Sequence, residues 1–381
     1  MKRCLGFATL IPVAVVAVVA AGSEVLIAGT PAEGIPYVNT LTEEARLPAL
    51  EAAHPEINFG ALSRPLLADG VPGNAAAAGR ALWRAAVTAV QDGSFDDRPL
   101  YWARLAVRAA MRSDPAVDPA PFEWWSRGLG DVNFDPDLPY RVLITGFDPF
   151  GLDAQPDQSN PSGLAVLALH GRILETARGP AQVQGVLVPV RFADFDLGLI
   201  ESFLAPRLAD DPPHLIMTIS MGRDAFDLER FPGRRRSAAV PDNLDVLSGA
   251  NEGNPLVPLL AGEALAGPEF LQFGLPAAAM TVVDQPFAVR DNRTVRTLER
   301  GELAAGSLTE LAGMTAVAGS GGGYLSNEIA YRTLLLNQRS GTAVPMGHLH
   351  TPRLSGYDAQ LERQMVDQIR RLIVAAVGAL P

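Results

Sequence analysis

The spacing of apolar residues divides the chain into three stretches. A short basic start, "MKR", runs into "CLGFATLIPVAVVAVVAA", which ends on the small residues Ala20, Ala21 and Gly22. That layout is the one an export signal has, and the run is also close to the lower length for crossing a bilayer. Residues 1–28 are therefore expected to be a signal peptide, or a membrane anchor if it is not cleaved, which would put the protein outside the cell or in its envelope. From 29 to 138 the apolar period is helical. "AAAAGRALWRAAVTAVQDG" and "PLYWARLAVRAAMRSD" place apolar side chains on one side and arginines on the other. All four tryptophans (Trp83, Trp102, Trp124 and Trp125) lie here. Asp118, Pro119 and Pro121 interrupt the pattern, and "DVNFDPDLPY" reads as a linker. This stretch is expected to be a helical extension, either plain core packed on the main domain or a cap that binds a partner or restricts a substrate.

From Tyr140 short apolar runs alternate with helical ones. Strands are predicted at 140–147, 182–190, 214–222, 277–285 and 314–321, with helices from Asn160, over 194–211 and over 357–380. The alternation predicts an α/β domain over 139–381, its sheet covered by helices on both faces. In such sheets, sites gather at the carboxyl ends of strands.

Composition narrows the chemistry. The 381 residues are 48% hydrophobic and 19% charged, with a net charge of -11, which describes a globular chain with little non-specific affinity for nucleic acid or an anionic membrane. Lys2 and Cys4 are the one lysine and the one cysteine. Removal of the signal would leave neither, excluding disulfides, a thiolate nucleophile, a Ser–Lys dyad and cysteine-based metal sites. Acyl-transfer chemistry would then rest on Ser or Thr with His and carboxylates.

Three segments could carry such chemistry. "TGFDPFG" (145–151) bends at a strand end and would project Phe147 and Phe150 as an apolar wall, though core packing explains aromatics there equally. "MGRDAFDLERFPGRRRSAAVPDN" (221–243) places Glu229 in a charged loop, where a solvated carboxylate is the ordinary outcome, and Arg234, Arg235 and Arg236 read as a solvated face. "GSGGGYLSNEIAYRTLLL" (319–336) sets Ser326 at a helix start, among unpaired N–H groups that either cap a helix or stabilise an oxyanion. His348 and His350 follow, two apart and so on one face of a strand, which also leaves open a metal site without an evident third ligand. Neither a metal nor a cofactor is expected.

Taken together, these segments resemble the pyroglutamyl peptidase I (pyrrolidone-carboxylate peptidase) family over roughly residues 140–375. "VLITGFDPFG" with "NPSGLAVLAL", "GRDAFDLER" with "VPDN", "GSGGGYLSNEIAYRTLL" and "HLHTP" occur in the family's order. The resemblance implies a three-layer αβα sandwich around a mixed, mostly parallel sheet. It implies a Ser326–His350–Glu229 triad, with Ser326 where the family has its nucleophilic cysteine. It also implies a lactam pocket of Phe147, Phe150, Val190, Ile219, Val240, Tyr324 and Leu325, with the Ser326 N–H as oxyanion donor. Asn327 and Tyr331 fall in the family's register. Glu328 stands for its histidine, Ala239 for an arginine, Ile219 for an often polar residue, and "LDVLSGA" after Asn243 is an insertion. The implied activity is removal of N-terminal pyroglutamate, or a related small acyl-amide, from a blocked peptide. The alternative is an inactive relative that binds blocked peptide termini or serves as an envelope interaction module.

Overall fold

The computed structural model describes residues 38–381, so the expected signal or anchor lies outside the described residues. Six helices come first: α1 (Leu41–Glu44), α2 (Leu47–Ala53), α3 (Gly60–Leu67), α4 (Ala75–Gln91), α5 (Arg98–Met111) and α6 (Ala120–Ser126). Asn74 starts α4 by accepting the Ala77 N–H at 3.0 Å, an alanine run continues it, and Leu82, Trp83, Ala86 and Val90 form its buried face. Among the described residues no helix is long and apolar enough to cross a membrane.

The remaining chain alternates strand and helix: β1 (Tyr140–Phe147), α7 (Pro161–Leu169), β2 (Ile173–Thr176), β3 (Gly179–Val188), α8 (Phe192–Asp196), α9 (Leu199–Asp210), β4 (Leu215–Met221) and β5 (Phe226–Glu229). After a loop-rich stretch come β6 (Leu259–Leu260), β7 (Glu263–Ala264), α10 (Ala277–Met280), β8 (Val289–Asn292), β9 (Thr294–Thr297), β10 (Gly301–Ala304) and β11 (Ala316–Ala318). The chain closes with α11 (Leu325–Ser340), β12 (Met346–Thr351) and α12 (Ala359–Gly378). The main sheet has the order β2-β3-β1-β4-β12-β5-β8. Strands β3, β1, β4 and β12 are parallel, β2 and β5 join them antiparallel, and β8 runs parallel to β5. Helices α7 and α12 pack together on one face, and α9 and α11 on the other. This is a mixed, mostly parallel α/β fold. Its central strands are buried on both faces, as β4 shows: every residue from Leu215 to Met221 is buried.

Several expectations fail for local reasons. Residues 277–285 are not a strand: Pro276 precedes a short helix over the alanines, and a turn follows with Val282 exposed. Strand β11 forms, but in a satellite sheet with β9 and β10. The "charged loop" around Glu229 is strand β5, buried at all four positions and inserted between β12 and β8. The three arginines are not a solvated face. Arg234 and Arg235 both reach Glu269 at 2.8 Å, and buried Arg236 pairs with Glu328 at 2.6 Å and Asp196 at 2.8 Å.

The early helices reach both layers. Helix α4 lies on α7, and Trp124 of α6 meets Phe203 of α9 edge-on at 6.4 Å. Between them lies a buried lattice of charges. Asp148, just past β1, receives Arg104 at 3.0 Å and Arg127 at 2.6 Å. Glu123 receives Arg108 at 2.6 Å, Arg127 at 2.7 Å and Arg191 at 2.6 Å, and Arg191 continues to Asp194 and Glu43. Burial works to raise Glu123, but Arg108, Arg127 and Arg191 outweigh it and hold this carboxyl well below its ordinary value. The loop after Asp148 is gripped as well. Arg46 donates to Asp153 at 2.9 Å and to the Asn243 carbonyl at 2.7 Å, while Asn243 Nδ2 donates to the Pro149 carbonyl at 2.9 Å.

Removing one member of a buried ion lattice leaves a charge stranded. Arg127→Met is expected to cost roughly 3–5 kcal/mol in denaturant unfolding, against about 0–1 kcal/mol for Arg371→Met, whose Asp367 partner stands half in solvent.

A second buried acid sets a pH dependence. Glu362 of α12 is buried with one oxygen taking the Ser159 hydroxyl at 2.5 Å, and burial pushes its pKa from 4.5 to about 8. The folded state keeps a proton that the unfolded chain releases above about 4.5. This contribution is full below that pH and is lost as pH rises through about 8. The unfolding midpoint is expected to fall between pH 5 and pH 8.5, and Glu362→Gln to flatten that slope.

Candidate active site

The carboxyl ends of β1, β4 and β12 meet the amino end of α11, and most of the candidate residues lie there. His350 sits on β12 and Glu229 on its antiparallel neighbour β5. His350 Nδ1 and Glu229 Oε1 are 2.6 Å apart, with the carboxylate fully buried. Burial raises the Glu229 pKa above its ordinary value, and the bond to His350 opposes part of that rise. The second oxygen, Oε2, accepts the Asn292 side-chain amide at 2.8 Å, and the same amide donates to the Ser320 carbonyl at 2.9 Å. Asn292 thus ties the carboxylate to the glycine-rich loop. With Nδ1 engaged by Glu229, Nε2 is the nitrogen left for a proton transfer.

Ser326 is the second residue of α11, and the cap position belongs to Tyr324, which offers no side-chain cap bond. The backbone N–H groups of the first turn therefore have no intrahelical acceptor. The Ser326 hydroxyl donates to the Gly321 carbonyl at 3.2 Å and not to His350. The two halves of the site are nevertheless adjacent. A Cβ placed on Gly321 would lie 3.5 Å from His350 Cε1 and 3.6 Å from Glu229 Cγ, ordinary van der Waals contact. The glycines have a steric cause. A Cβ on Gly319 would fall 2.1 Å from Asn327 Oδ1, and one on Gly323 would fall 2.0 Å from Ser237 Oγ.

Phe147, Phe150, Val190, Tyr324, Leu325 and Ser326 line one small cavity of about 40 Å³, joined by Asn160, Ser220 and Met221. Ile219 and Val240 stand outside that lining. On β4 side chains alternate, so Ile219 turns into the core opposite to Ser220, and Val240 lies in a loop with about half its surface exposed. The two other residues matched to the motif are braces. Asn327 bonds both the N–H and the carbonyl of Gly233, at 2.9 and 2.7 Å, and the Tyr331 hydroxyl donates to Pro268 at 2.6 Å. Glu328 is buried between Arg236 and Arg332, joining α11 to the 234–237 loop.

The cavity-lining roles of Asn160, Ser220 and Met221, and the support from Asn292, escaped the sequence reading. For Ser220 a signal existed in its place near the end of the apolar run 214–222, since sites gather at strand ends. For Asn292, far along the chain in "VRDNRT", none did. His348 faces Thr218 and Ser220, not a metal-binding cluster: among the described residues no group of three His, Cys, Asp or Glu is arranged to hold a metal ion.

Comparison with known proteins finds the following likenesses. A pyrrolidone-carboxylate peptidase from Pyrococcus furiosus is 25% identical, covering 60% of this chain and 85% of that protein. A solved structure of a mutant pyrrolidone carboxyl peptidase from the same organism aligns with a TM-score of 0.45 at 21% identity, over 63% of this chain and 100% of that one. An uncharacterized protein PA0049 from Pseudomonas aeruginosa is 26% identical, covering 73% of this chain and 69% of the relative. The family model for the PA0049 N-terminal domain matches residues 62–118. That for the PA0049 C-terminal domain matches 141–282 and 290–355, more than half of the sequence. The chain belongs to the PA0049 family.

Proposed function

We propose that this protein is a pyroglutamyl peptidase-like hydrolase that removes N-terminal pyroglutamate, or a closely related small acyl-amide, from peptides. The buried 2.6 Å pair of His350 and Glu229 beside the uncapped start of α11 supports this most strongly. A histidine with its Nδ1 held by a buried carboxylate is oriented to act as a base through Nε2.

In the proposed reaction Ser326 Oγ turns from the Gly321 carbonyl toward His350 and attacks the acyl carbon. His350 takes the hydroxyl proton as the C–O bond forms, and Glu229 stabilises the imidazolium. The developing oxyanion lies at the Ser326 N–H, where the helix dipole and an unpaired donor coincide. His350 then passes its proton to the leaving amine as the C–N bond breaks. Water activated by His350 releases the acyl group from Ser326. A serine must be deprotonated during attack, whereas a thiol can be ionised beforehand, so this site depends more heavily on His350 than a cysteine site would. Entry of a ring into a 40 Å³ cavity requires Phe150 and Tyr324, both half-buried, to swing outward. The proposal includes export through residues 1–28, with substrates outside the cytosol.

The narrow cavity and the engagement of Ser326 by Gly321 favour a second reading, an inactive relative that binds blocked peptide termini. Fluorophore release from a pyroglutamyl amide separates the two. The hydrolase reading expects the full chain to turn over and Ser326→Ala to lose at least about 10³-fold in kcat/KM. If the parent equals Ser326→Ala and only Ser326→Cys turns over, the binding reading replaces it. In the same assay, Glu229→Gln is expected to lower kcat by roughly 10²-fold or more with little change in KM, because the interaction acts on charge that appears in the transition state.

A further inference from the structure

Beside Ser326 the cavity contains a second hydroxyl that the proposed reaction leaves unused. Ser220 lies at the end of β4, and its strand partner on β12 is His350. Thr218 and Ser220 share one face of β4, as His348 and His350 share one face of β12. The His348 ring is wedged between the two hydroxyls, with Nδ1 2.8 Å from Thr218 Oγ1 and Nε2 2.8 Å from Ser220 Oγ. Thr218 Oγ1 also donates to the Gly347 carbonyl at 3.3 Å.

Proton counting leaves two tautomers of neutral His348, and one of them also satisfies the Thr218–Gly347 bond. Each hydroxyl has one proton, and a neutral imidazole has one N–H and one lone pair. In that tautomer Thr218 gives its proton to Gly347 and accepts from His348 Nδ1–H. His348 Nε2 is then the acceptor and must take the Ser220 proton. Ser220 therefore keeps only lone pairs for the cavity. His348 is fully buried, and burial holds its pKa well below the ordinary histidine value, with His350 adding to the effect. The neutral form that this assignment needs is thus the stable one.

The same burial decides between two roles. If Ser220 were a nucleophile, His348 would have to become an imidazolium in a dry interior. The buried carboxylate opposite it on β5, Glu229, is already committed to His350 and Asn292. Such an ion would also form edge-on to the His350 ring, 4.8 Å away. An acceptor role requires no charge to move.

We propose that Ser220, oriented by His348, is a specificity-determining acceptor that takes a ring N–H of the ligand, so that the cavity selects a lactam over the lactone of the same shape. This rests on the reading of the cavity as a pyroglutamyl pocket. The lactone has no N–H, and its ring oxygen would face the lone pairs of Ser220, leaving the serine unpaired.

Calorimetric titration tests this on the full chain with Ser326→Ala, which prevents turnover. The two probes are the five-membered lactam carboxamide and the matching lactone carboxamide. The lactam is expected to bind at least about tenfold tighter. Adding Ser220→Ala should bring the ratio close to one by weakening the lactam alone, and Ser220→Thr should restore it. His348→Phe should also lower the ratio, since it frees the Ser220 proton to point into the cavity. A loss shared equally by both ligands would mark a merely structural role and overturn the proposal. So would a lactam preference that survives Ser220→Ala, or a lactam bound no tighter than the lactone. If neither ring binds, the pyroglutamyl reading of the cavity fails and the role of Ser220 fails with it.

Discussion

The position of the cavity depends on how Asp148 is held. This residue lies between Phe147 and Phe150, and its carboxylate is almost wholly removed from water. An isolated carboxylate in that place would be unstable by several kcal/mol, so the loop is tenable only with a cation on each oxygen. Arg104 and Arg127 supply them from the helical segment, not from the sheet. The same arginines are bound in turn through Glu123 and Ser126, and Arg191 closes the lattice from the sheet side. Asp148 has a second tie, because Asn160 donates to its carbonyl at 3.0 Å while also capping α7. The two phenylalanines are therefore placed by a charge lattice that spans both parts of the chain.

The site proper is built on a different economy. Glu229 and His350 lie on adjacent antiparallel strands, so sheet register sets their separation. Asn292, from the next strand, fills the oxygen that the histidine leaves. The hydrogen bonds of Glu229 thus come from its two flanking strands, and the exposed Arg223 adds a longer ion pair at 3.9 Å. Ser326 is positioned more loosely. Its helix is fixed by Asn327 on Gly233 and by Glu328 on Arg236 and Arg332, but its hydroxyl makes one 3.2 Å bond, to the Gly321 carbonyl. In the proposed reaction this separates a fixed base from a rotatable nucleophile, which suits a nucleophile that must move toward the substrate.

The sequence made most of the main sheet legible, because β1, β3 and β4 are long apolar runs bounded by turns. Strand β5 was hidden. "FDLE" alternates apolar and acidic residues, and its acidic positions have partners from elsewhere, His350 and Asn292 for Glu229 and Arg223 for Asp227. Arg236 was illegible for the same reason, since its partners Asp196 and Glu328 are 40 and 92 residues away. The alanines at 277–279 misled in the opposite direction, for an apolar run of that length fits strand or helix and a preceding proline decided it. Phe147 and Val190 stand at strand ends and line the cavity, while Ile219 faces the core, because side chains alternate along β4 and one position changes the face.

The pair of histidines on β12 connects these observations. Both project from the same face, and their rings meet edge-on at 4.8 Å. Two imidazoles that close cannot both become cations cheaply. Here their surroundings separate their roles. His350 has a carboxylate on one nitrogen, so it can hold a proton taken from a nucleophile. His348 has only hydroxyls, and full burial keeps it neutral. A neutral His348 leaves Glu229 as the nearest formal charge bonded to His350, which favours the imidazolium that the proposed reaction creates. Replacing His348 by a residue that is protonated in place would oppose that step from the adjacent position on the strand. The neutrality of one histidine is a condition for the other to act as a base.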